Sequence, residues 1–309
     1  MSDPQQRAFE LLAARAHGSV VRGGSLAPLT SYKLGGPAAI LVEAATESDL
    51  AAVAAAAADT GLPVLVVGRG SNMLVSDRGY PGIALRLGAG FRAVRGEGTR
   101  ITAGAAVPVP GLATAAMDRR LTGFEFAVAI PASLGGAVRM NAGAHGHTVG
   151  EVLESADVFL LGAAETARLH ADDLTFDYRR SSIPADGIVT AATIALRPGD
   201  PEEIASLMRE AREWRRANQP LKLPNAGSVF VNPPGDAAGR LIEQVCGKGM
   251  RVGGAHISEV HANFIVTNER ARADEVFTLI RRIQRMVGEA TGVLLELEIK
   301  LMGEFREVK

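Results

Sequence analysis

The chain of 309 residues holds one cysteine, Cys246. With no second thiol it can close no internal disulfide and cannot build a cysteine-rich metal site, a pattern that fits a reducing compartment. Cys246 ends the run Leu241-Ile242-Glu243-Gln244-Val245-Cys246, where a small buried apolar role is expected rather than that of a nucleophile. The chain also lacks an excess of charge: 33 basic against 34 acidic residues leave a net −1. Nothing global therefore draws it to nucleic acid or an anionic membrane surface, and any anion site must be local. No apolar run approaches the roughly 20 residues that span a bilayer. Met1-Ser2-Asp3-Pro4-Gln5-Gln6 carries no basic segment followed by an apolar core, so no secretory signal is read there. The expectation is a cytoplasmic protein with no membrane and no nucleic-acid partner. With 47% hydrophobic and 22% charged residues the composition is that of a globular protein, and the length predicts two or three domains.

Helix is expected over residues 4–16, with Phe9, Leu12 and Ala13 on one face and Gly18 as the stop. Thr46 and Asp49 have capping-box spacing ahead of an alanine-rich helix that Gly61 and Pro63 end. Behind Pro63, Val64-Leu65-Val66-Val67 reads as a short buried strand running into Gly68-Arg69-Gly70-Ser71-Asn72, with Met73-Leu74-Val75 extended beyond it. Further strands are expected over 83–87, 158–161, 188–196, 263–267 and 293–302, and helices over 108–120, 201–217, 237–246 and 273–287. Arg197-Pro198-Gly199-Asp200-Pro201 is the best linker, which places a domain boundary near 198–202.

The glycine turn at 68–72 admits two readings. Its free N–H groups could form a concave nest for a diphosphate, or it could be a tight strand-to-strand turn. It lacks the third glycine of a Rossmann fingerprint and opens no helix. Gly247-Lys248-Gly249 lacks the spacing and hydroxyl of a P-loop. His145 and His147 have no nearby cysteine or carboxylate cluster and read as loop residues, so no metal is expected. Residues 124–146 are rich in small side chains, consistent with backbone packed on something planar or with a plain loop network. Taken singly, Arg179 reads as a surface strand charge, Ser228 as a turn residue, and Glu298, like Glu296, as a solvated strand position.

Taken together these stretches are more specific. Val67 to Leu74, Ile130-Pro131 to Gly135-Gly136-Ala137, Asn141-Ala142-Gly143-Ala144, Tyr178-Arg179-x-Ser181, Ala226-Gly227-Ser228-x-Phe230 and Ser258-x-x-His261-Ala262-Asn263-Phe264 follow one order and spacing. The series resembles the UDP-N-acetylenolpyruvoylglucosamine reductase (MurB) family, from about residue 30 to 303.

The resemblance implies an α+β chain with an FAD-binding fold of the vanillyl-alcohol-oxidase (PCMH) type. Two α/β subdomains, over 20–88 and 89–199, would hold FAD, and a C-terminal α+β substrate-binding domain over 200–303 would send its last strand back toward the FAD site. It implies non-covalent FAD reduced by NADPH, and reduction of UDP-N-acetylglucosamine enolpyruvate to UDP-N-acetylmuramate for peptidoglycan synthesis. Hydride would pass from flavin N5 to C3 of the enolpyruvyl group, with Ser228 protonating C2, Arg179 holding the carboxylate, and Glu298 aiding proton delivery. Glu296 competes with Glu298 by position. The resemblance assigns FAD contacts to Gly68, Arg69, Gly70, Ser71, Asn72, Leu74, Ile130, Pro131, Ser133, Gly135, Gly136, Asn141 and Gly143. It assigns substrate contacts to Tyr178 and Asn232, and implies a monomer acting on a UDP-sugar. The sequence departs from the family pattern at Ala129 and Ala132, which replace glycines, at His145, which replaces an aromatic, and at Val231, which replaces a lysine. Lys222 or Arg240 could supply the missing charge. The competing reading is a flavin oxidase of the same fold, reoxidised by oxygen, with His145 or His147 as candidates for a covalent flavin link.

Overall fold

Local chemistry sets the first helices. In the computed structural model, which describes residues 3–308, Asp3 accepts the Gln5 N–H at the start of helix Pro4–Arg15. Helix Glu47–Thr60 begins where the buried Asp49 carboxylate collects the N–H groups of His17, Ala45 and Thr46. It ends at Gly61, whose φ of +70° is the left-handed cap that glycine adopts without strain. Met1 and Ser2, the first of the residues read for a targeting signal, lie outside the described residues, as does Lys309. No helix among the described residues is long and apolar enough to cross a membrane.

The chain divides into two compact units, and the division is not sequential. The first takes the chain up to Arg22, then Ile40–Arg69 and Gly82–Arg215; the second takes Gly23–Ala39, Gly70–Pro81 and the chain from Arg216 onward. Residues 20–88, expected as one subdomain, thus supply both units. The helix Pro201–Asn218 buries Ile204, Met208 and Ala211 in the first unit's core, and in the Pro/Gly stretch before it Arg197–Pro198 pairs antiparallel with Leu121–Thr122, so that stretch is internal to the first unit and the chain changes unit at Arg215.

The first unit carries two sheets over one apolar cluster. In the smaller, Ser19–Arg22 lies antiparallel to Ala38–Ala44, and Val64–Val66 runs parallel to Tyr80–Leu87. Val64–Val66 is half-buried rather than buried throughout: Val64 packs against the core and Leu65 is buried, while Val66 is 40% exposed. The larger sheet is antiparallel, in the order Glu165–His170, Leu153–Leu160, Gly187–Ala195, Arg100–Gly104, Val94–Glu97. Its strands Leu153–Leu160 and Gly187–Ala195 each bury five residues, which explains their apolar runs.

In the second unit, the helix Ala273–Thr291 buries Val276, Leu279, Ile280, Ile283 and Val287, spaced for one face. Its first N–H groups are capped from far away in sequence. The side chain of the preceding residue, Arg272, carries no acceptor, and the Asp77 carboxylate instead accepts the N–H groups of Ala273 and Asp274, each at 3.0 Å. Beside the helix, Arg251–Val252, Ala255–Ile257 and Ile265–Thr267 form an antiparallel meander. The expected strand over 293–302 is regular only at Lys300–Met302, paired parallel with Met73–Val75. Before it the chain is extended and held to Val229–Val231 by a bridge between Phe230 and Leu297.

One expectation fails here. Cys246 is exposed, because the helix Ala238–Gln244 stops two residues earlier and Cys246 takes a left-handed φ of +56°. That turn swings it off the face that buries Leu241 and Ile242.

Candidate functional site

In the second unit, the residues around Ser228 are fixed by one buried side chain. Asn263, 3% exposed, accepts the Phe230 N–H at 2.9 Å through Oδ1 and donates to the Phe230 carbonyl at 2.8 Å through Nδ2. Its own carbonyl takes the Val229 N–H. Ser228 follows Gly227, φ +78°, and emerges half-buried beside a cavity of about 320 Å³. The cavity is lined by Ser228, Asn232, Arg240, Glu243, His261 and Asn263, among others. Asn232 also receives the Ala238 N–H at 3.0 Å. Arg240 makes a two-pronged pair with Asp236, whose carboxyl is pushed down to about 2 chiefly by that contact. The Arg240 charge is therefore already matched at the rim. Lys222 is exposed and does not line the cavity.

His261 lies within one of the motifs, but the sequence gives it no role. Its Nδ1 accepts the Asn263 N–H at 3.2 Å and its ring packs on Phe264 at 4.8 Å. Burial depresses its pKa, which favours the neutral ring, and an Nδ1 that accepts a hydrogen bond leaves the ring proton to Nε2. Asn263 is likewise missed by sequence reasoning, since a lone asparagine before an apolar run carries no signal of a buried clamp.

Glu298 and Glu296 differ in setting. Glu296 is exposed, while Glu298 is half-buried. The Glu298 N–H donates to the Val229 carbonyl at 2.9 Å, and its carbonyl accepts from Asn72 Nδ2 at 3.2 Å.

In the first unit, Arg179 is not on a strand. Phe176–Asp177 and Arg180–Ser181 pair as a minimal hairpin, and Tyr178 and Arg179 form its two-residue turn. Arg179 has φ +55°, a left-handed conformation that a non-glycine residue adopts at a cost of about 1 kcal/mol. Its guanidinium sits 4.8 Å from the centre of the Tyr178 ring, itself 57% exposed. The hairpin is tied down on both sides: Asn141 Nδ2 donates to the Asp177 carbonyl at 3.1 Å, and Ser181 Oγ to the Arg139 carbonyl at 2.8 Å.

The residues assigned to FAD separate into kinds. Asn141 is 4% exposed and its Oδ1 is taken by the Gly150 N–H at 2.9 Å, so both ends of its amide serve the unit itself. Leu74 is wholly buried in the second unit's core and offers a ligand no side-chain surface. Gly135 packs against Ala105, where a Cβ would come within 2.8 Å of the alanine methyl. Ile130 and Ser133 are buried, Gly143 is half-buried, and Pro131 and Gly136 are exposed. A Cβ on Gly68 would stand 2.5 Å from Ser133 Oγ, so the first glycine of the turn is held against the small-residue stretch.

The chain leaves the first unit after Arg69 and enters the second at Gly70. Gly70, φ +60°, gives its carbonyl to the Ser31 N–H, and Asn72 gives its carbonyl to the Lys300 N–H. The N–H groups of Gly68, Arg69, Gly70, Ser71 and Asn72 have no acceptor among the described residues. A run of unclaimed N–H groups, with the Gly70 and Asn72 carbonyls already engaged, is the chemistry a diphosphate requires, and the turn fits that group.

His145 and His147 sit at the tip of the Gly143–Ala144/His147–Thr148 hairpin. His145 meets the Trp214 ring edge-on at 5.3 Å, and His147 Nδ1 pairs with Glu151 at 2.9 Å.

Comparison with known proteins places this geometry. Residues 38–169 match a family described as FAD binding domain, and residues 219–302 match UDP-N-acetylenolpyruvoylglucosamine reductase, C-terminal domain. UDP-N-acetylenolpyruvoylglucosamine reductase 2 of Symbiobacterium thermophilum is 43% identical over 94% of this chain and 94% of its own. The reductase of an Anaeromyxobacter species is 42% identical over 94% and 91%. Among solved structures, the MurB reductase of Thermus caldophilus superposes with a TM-score of 0.81 at 37% identity, over 93% of this chain and 99% of its own. A variant of the glucose dehydrogenase Phl p 4 reaches 0.50 at 13% identity over 72% and 52%, which shows the fold alone. The fold is α+β, an FAD-binding domain of the vanillyl-alcohol-oxidase type followed by a C-terminal α+β domain. The chain belongs to the UDP-N-acetylenolpyruvoylglucosamine reductase (MurB) family.

Proposed function

We infer that the protein is an FAD-dependent oxidoreductase that uses NADPH to reduce UDP-N-acetylglucosamine enolpyruvate to UDP-N-acetylmuramate, in the cytoplasm and as a monomer. The observation that carries this reading is the match to reductases over nine-tenths of the chain, spanning both the FAD-binding and the C-terminal regions. Bound FAD, once reduced by NADPH, supplies the hydride that adds at C3 of the enolpyruvyl group. The rest falls to the chain. The unclaimed N–H groups of Gly68–Asn72 would hold the FAD diphosphate. The Arg179 guanidinium holds the substrate carboxylate and balances the charge that grows toward it as C3 is reduced. Ser228 Oγ gives its proton to C2, completing addition across the double bond. Glu298, half-buried and fixed through Val229 and Asn72, is better supported than the exposed Glu296 as the group that aids this transfer. Asn232, which shares the cavity with Ser228, contacts the sugar nucleotide, and Arg240, on the same rim, contacts it while paired with Asp236; Tyr178 is a further contact, and Lys222, off the cavity, is not needed.

The purified protein should be yellow from FAD released by denaturation. NADPH added without oxygen should bleach it, and the enolpyruvyl sugar nucleotide should restore the colour faster than oxygen does. Rapid reoxidation by oxygen with no response to the sugar nucleotide would establish the oxidase reading instead.

A further inference from the structure

We propose that Asn141 and Ser181 are positioning residues for Arg179, clamping the two strands of its hairpin so that the guanidinium is held in one place. The proposal rests on the reading of Arg179 as the carboxylate-binding cation.

Arg179 occupies a position that glycine would fill at lower cost. A two-residue turn with a positive φ at its second residue favours Gly or Asn there, and the side chain of Arg179 makes that backbone about 1 kcal/mol harder to form. The strands that flank it contribute little stability, since Phe176–Asp177 and Arg180–Ser181 are two residues each. Such a turn persists only if its surroundings hold it.

The surroundings do so at both strands. On one, Asn141 Nδ2 grips the carbonyl of Asp177, the residue before Tyr178. On the other, Ser181, two residues after Arg179, grips the carbonyl of Arg139 through its Oγ. Both anchors belong to one short stretch, the end of helix Leu134–Arg139 and the turn after it. That stretch is itself fastened. The Arg139 guanidinium donates to the carbonyls of Pro184, Ala185 and Gly187. Asn141, held at φ +40°, takes the Gly150 N–H on its other end, where a Cβ on Gly150 would stand 3.0 Å from that oxygen. The Arg179 turn is thus built from a frame in which every strut is a hydrogen bond to a main-chain group. Sequence resemblance alone gives Asn141 to the cofactor; its geometry gives it to the arginine.

The test uses the FAD-loaded full chain with Asn141→Asp, Ser181→Ala and Arg179→Ala, singly and with each of the first two combined with the third. Asn141→Asp keeps the acceptor for Gly150 and tolerates the backbone, but removes the donor to Asp177. Four readings are taken on each: FAD content, the rate of anaerobic flavin bleaching by NADPH, the rate of recolouring by the enolpyruvyl sugar nucleotide, and melting temperature. Loss of position at a reacting centre costs on the order of 10- to 100-fold. Asn141→Asp and Ser181→Ala should slow recolouring by that order while leaving FAD content and bleaching within about twofold. Neither should slow it further once Arg179 is alanine. Three results would overturn the proposal. One is unchanged recolouring in both single variants. Another is losses that multiply with that of Arg179→Ala, which would mark a general structural role. The third is depletion of FAD in Asn141→Asp, which would return the residue to the cofactor. Recolouring unaffected by Arg179→Ala would instead fell the reading of Arg179, and this proposal with it.

Discussion

Two asparagines carry out the same task in the two units under opposite conditions. Asn263 grips both main-chain groups of Phe230, whose side chain lies in an apolar core, beside Ser228. Asn141 is as buried, but its partners Asp177 and Gly150 lie at or near the surface, and the residue they serve, Arg179, bends through a strained turn. An extended segment in a core needs its polar groups satisfied because water cannot reach them. A surface turn can satisfy its own groups with water, so its tie fixes conformation more than it lowers energy. The segment around Ser228 is secured by burial and the Arg179 turn by geometry.

The widest gap should come from Ser228, the proposed proton donor. Ser228→Ala should cut recolouring by the sugar nucleotide by about 10²–10⁴-fold, the usual worth of a positioned acid, with flavin bleaching by NADPH preserved in stopped flow. If bleaching falls equally, the acid assignment is wrong. Next comes the contrast in stability. Asn263→Ala strands a buried N–H and carbonyl and should cost about 2–4 kcal/mol in urea unfolding. Asn141→Ala should cost roughly half that, because water can replace it at Asp177. Equal losses would erase the distinction drawn between the two clamps.

A smaller effect is expected at Asp77. Its replacement by alanine removes the remote cap of helix Ala273–Thr291 and should lower stability by about 1–2 kcal/mol. The smallest separates the units by pH. Burial raises the Asp49 carboxyl, but the N–H donors of His17, Ala45 and Thr46 outweigh it and leave its pKa below the ordinary value. Its ionised form therefore adds stability above the unfolded pKa of about 4, and that stability is lost as pH falls through the lower folded value. Asp49→Asn should flatten the acid limb of a melting-temperature profile; an unchanged limb would show that another carboxylate governs it.

Much of this is legible in the chain because it is local. Asp49 ahead of the alanine helix, Gly61 after it, the glycine turn at 68–72 and the apolar face of the last helix each declare themselves within a few residues. The family's motif order makes the reductase chemistry legible as well. What stays hidden depends on partners far along the chain. Nothing near residue 77 announces that its carboxylate caps a helix beginning at 273, or that Met73–Val75 pairs with Lys300–Met302. The same holds at Arg179, whose neighbours look like a strand and whose turn is tied by Asn141 through the Asp177 carbonyl. Cys246 departs from expectation for a simpler reason: the helix ends before it reaches the face that its apolar neighbours occupy.

The interleaving of the two units has a consequence for synthesis. Residues 23–39 and 70–81 leave the ribosome more than a hundred residues before most of the second unit exists. Until Met302 has emerged, the strand Met73–Val75 has an open edge, and Leu74, fully buried in the finished protein, has no core to enter. The first unit can assemble while the chain grows, whereas the second must wait for its last strand. Nascent chains stopped after residue 215 should therefore present a sticky, unpaired edge of the kind that chaperones capture.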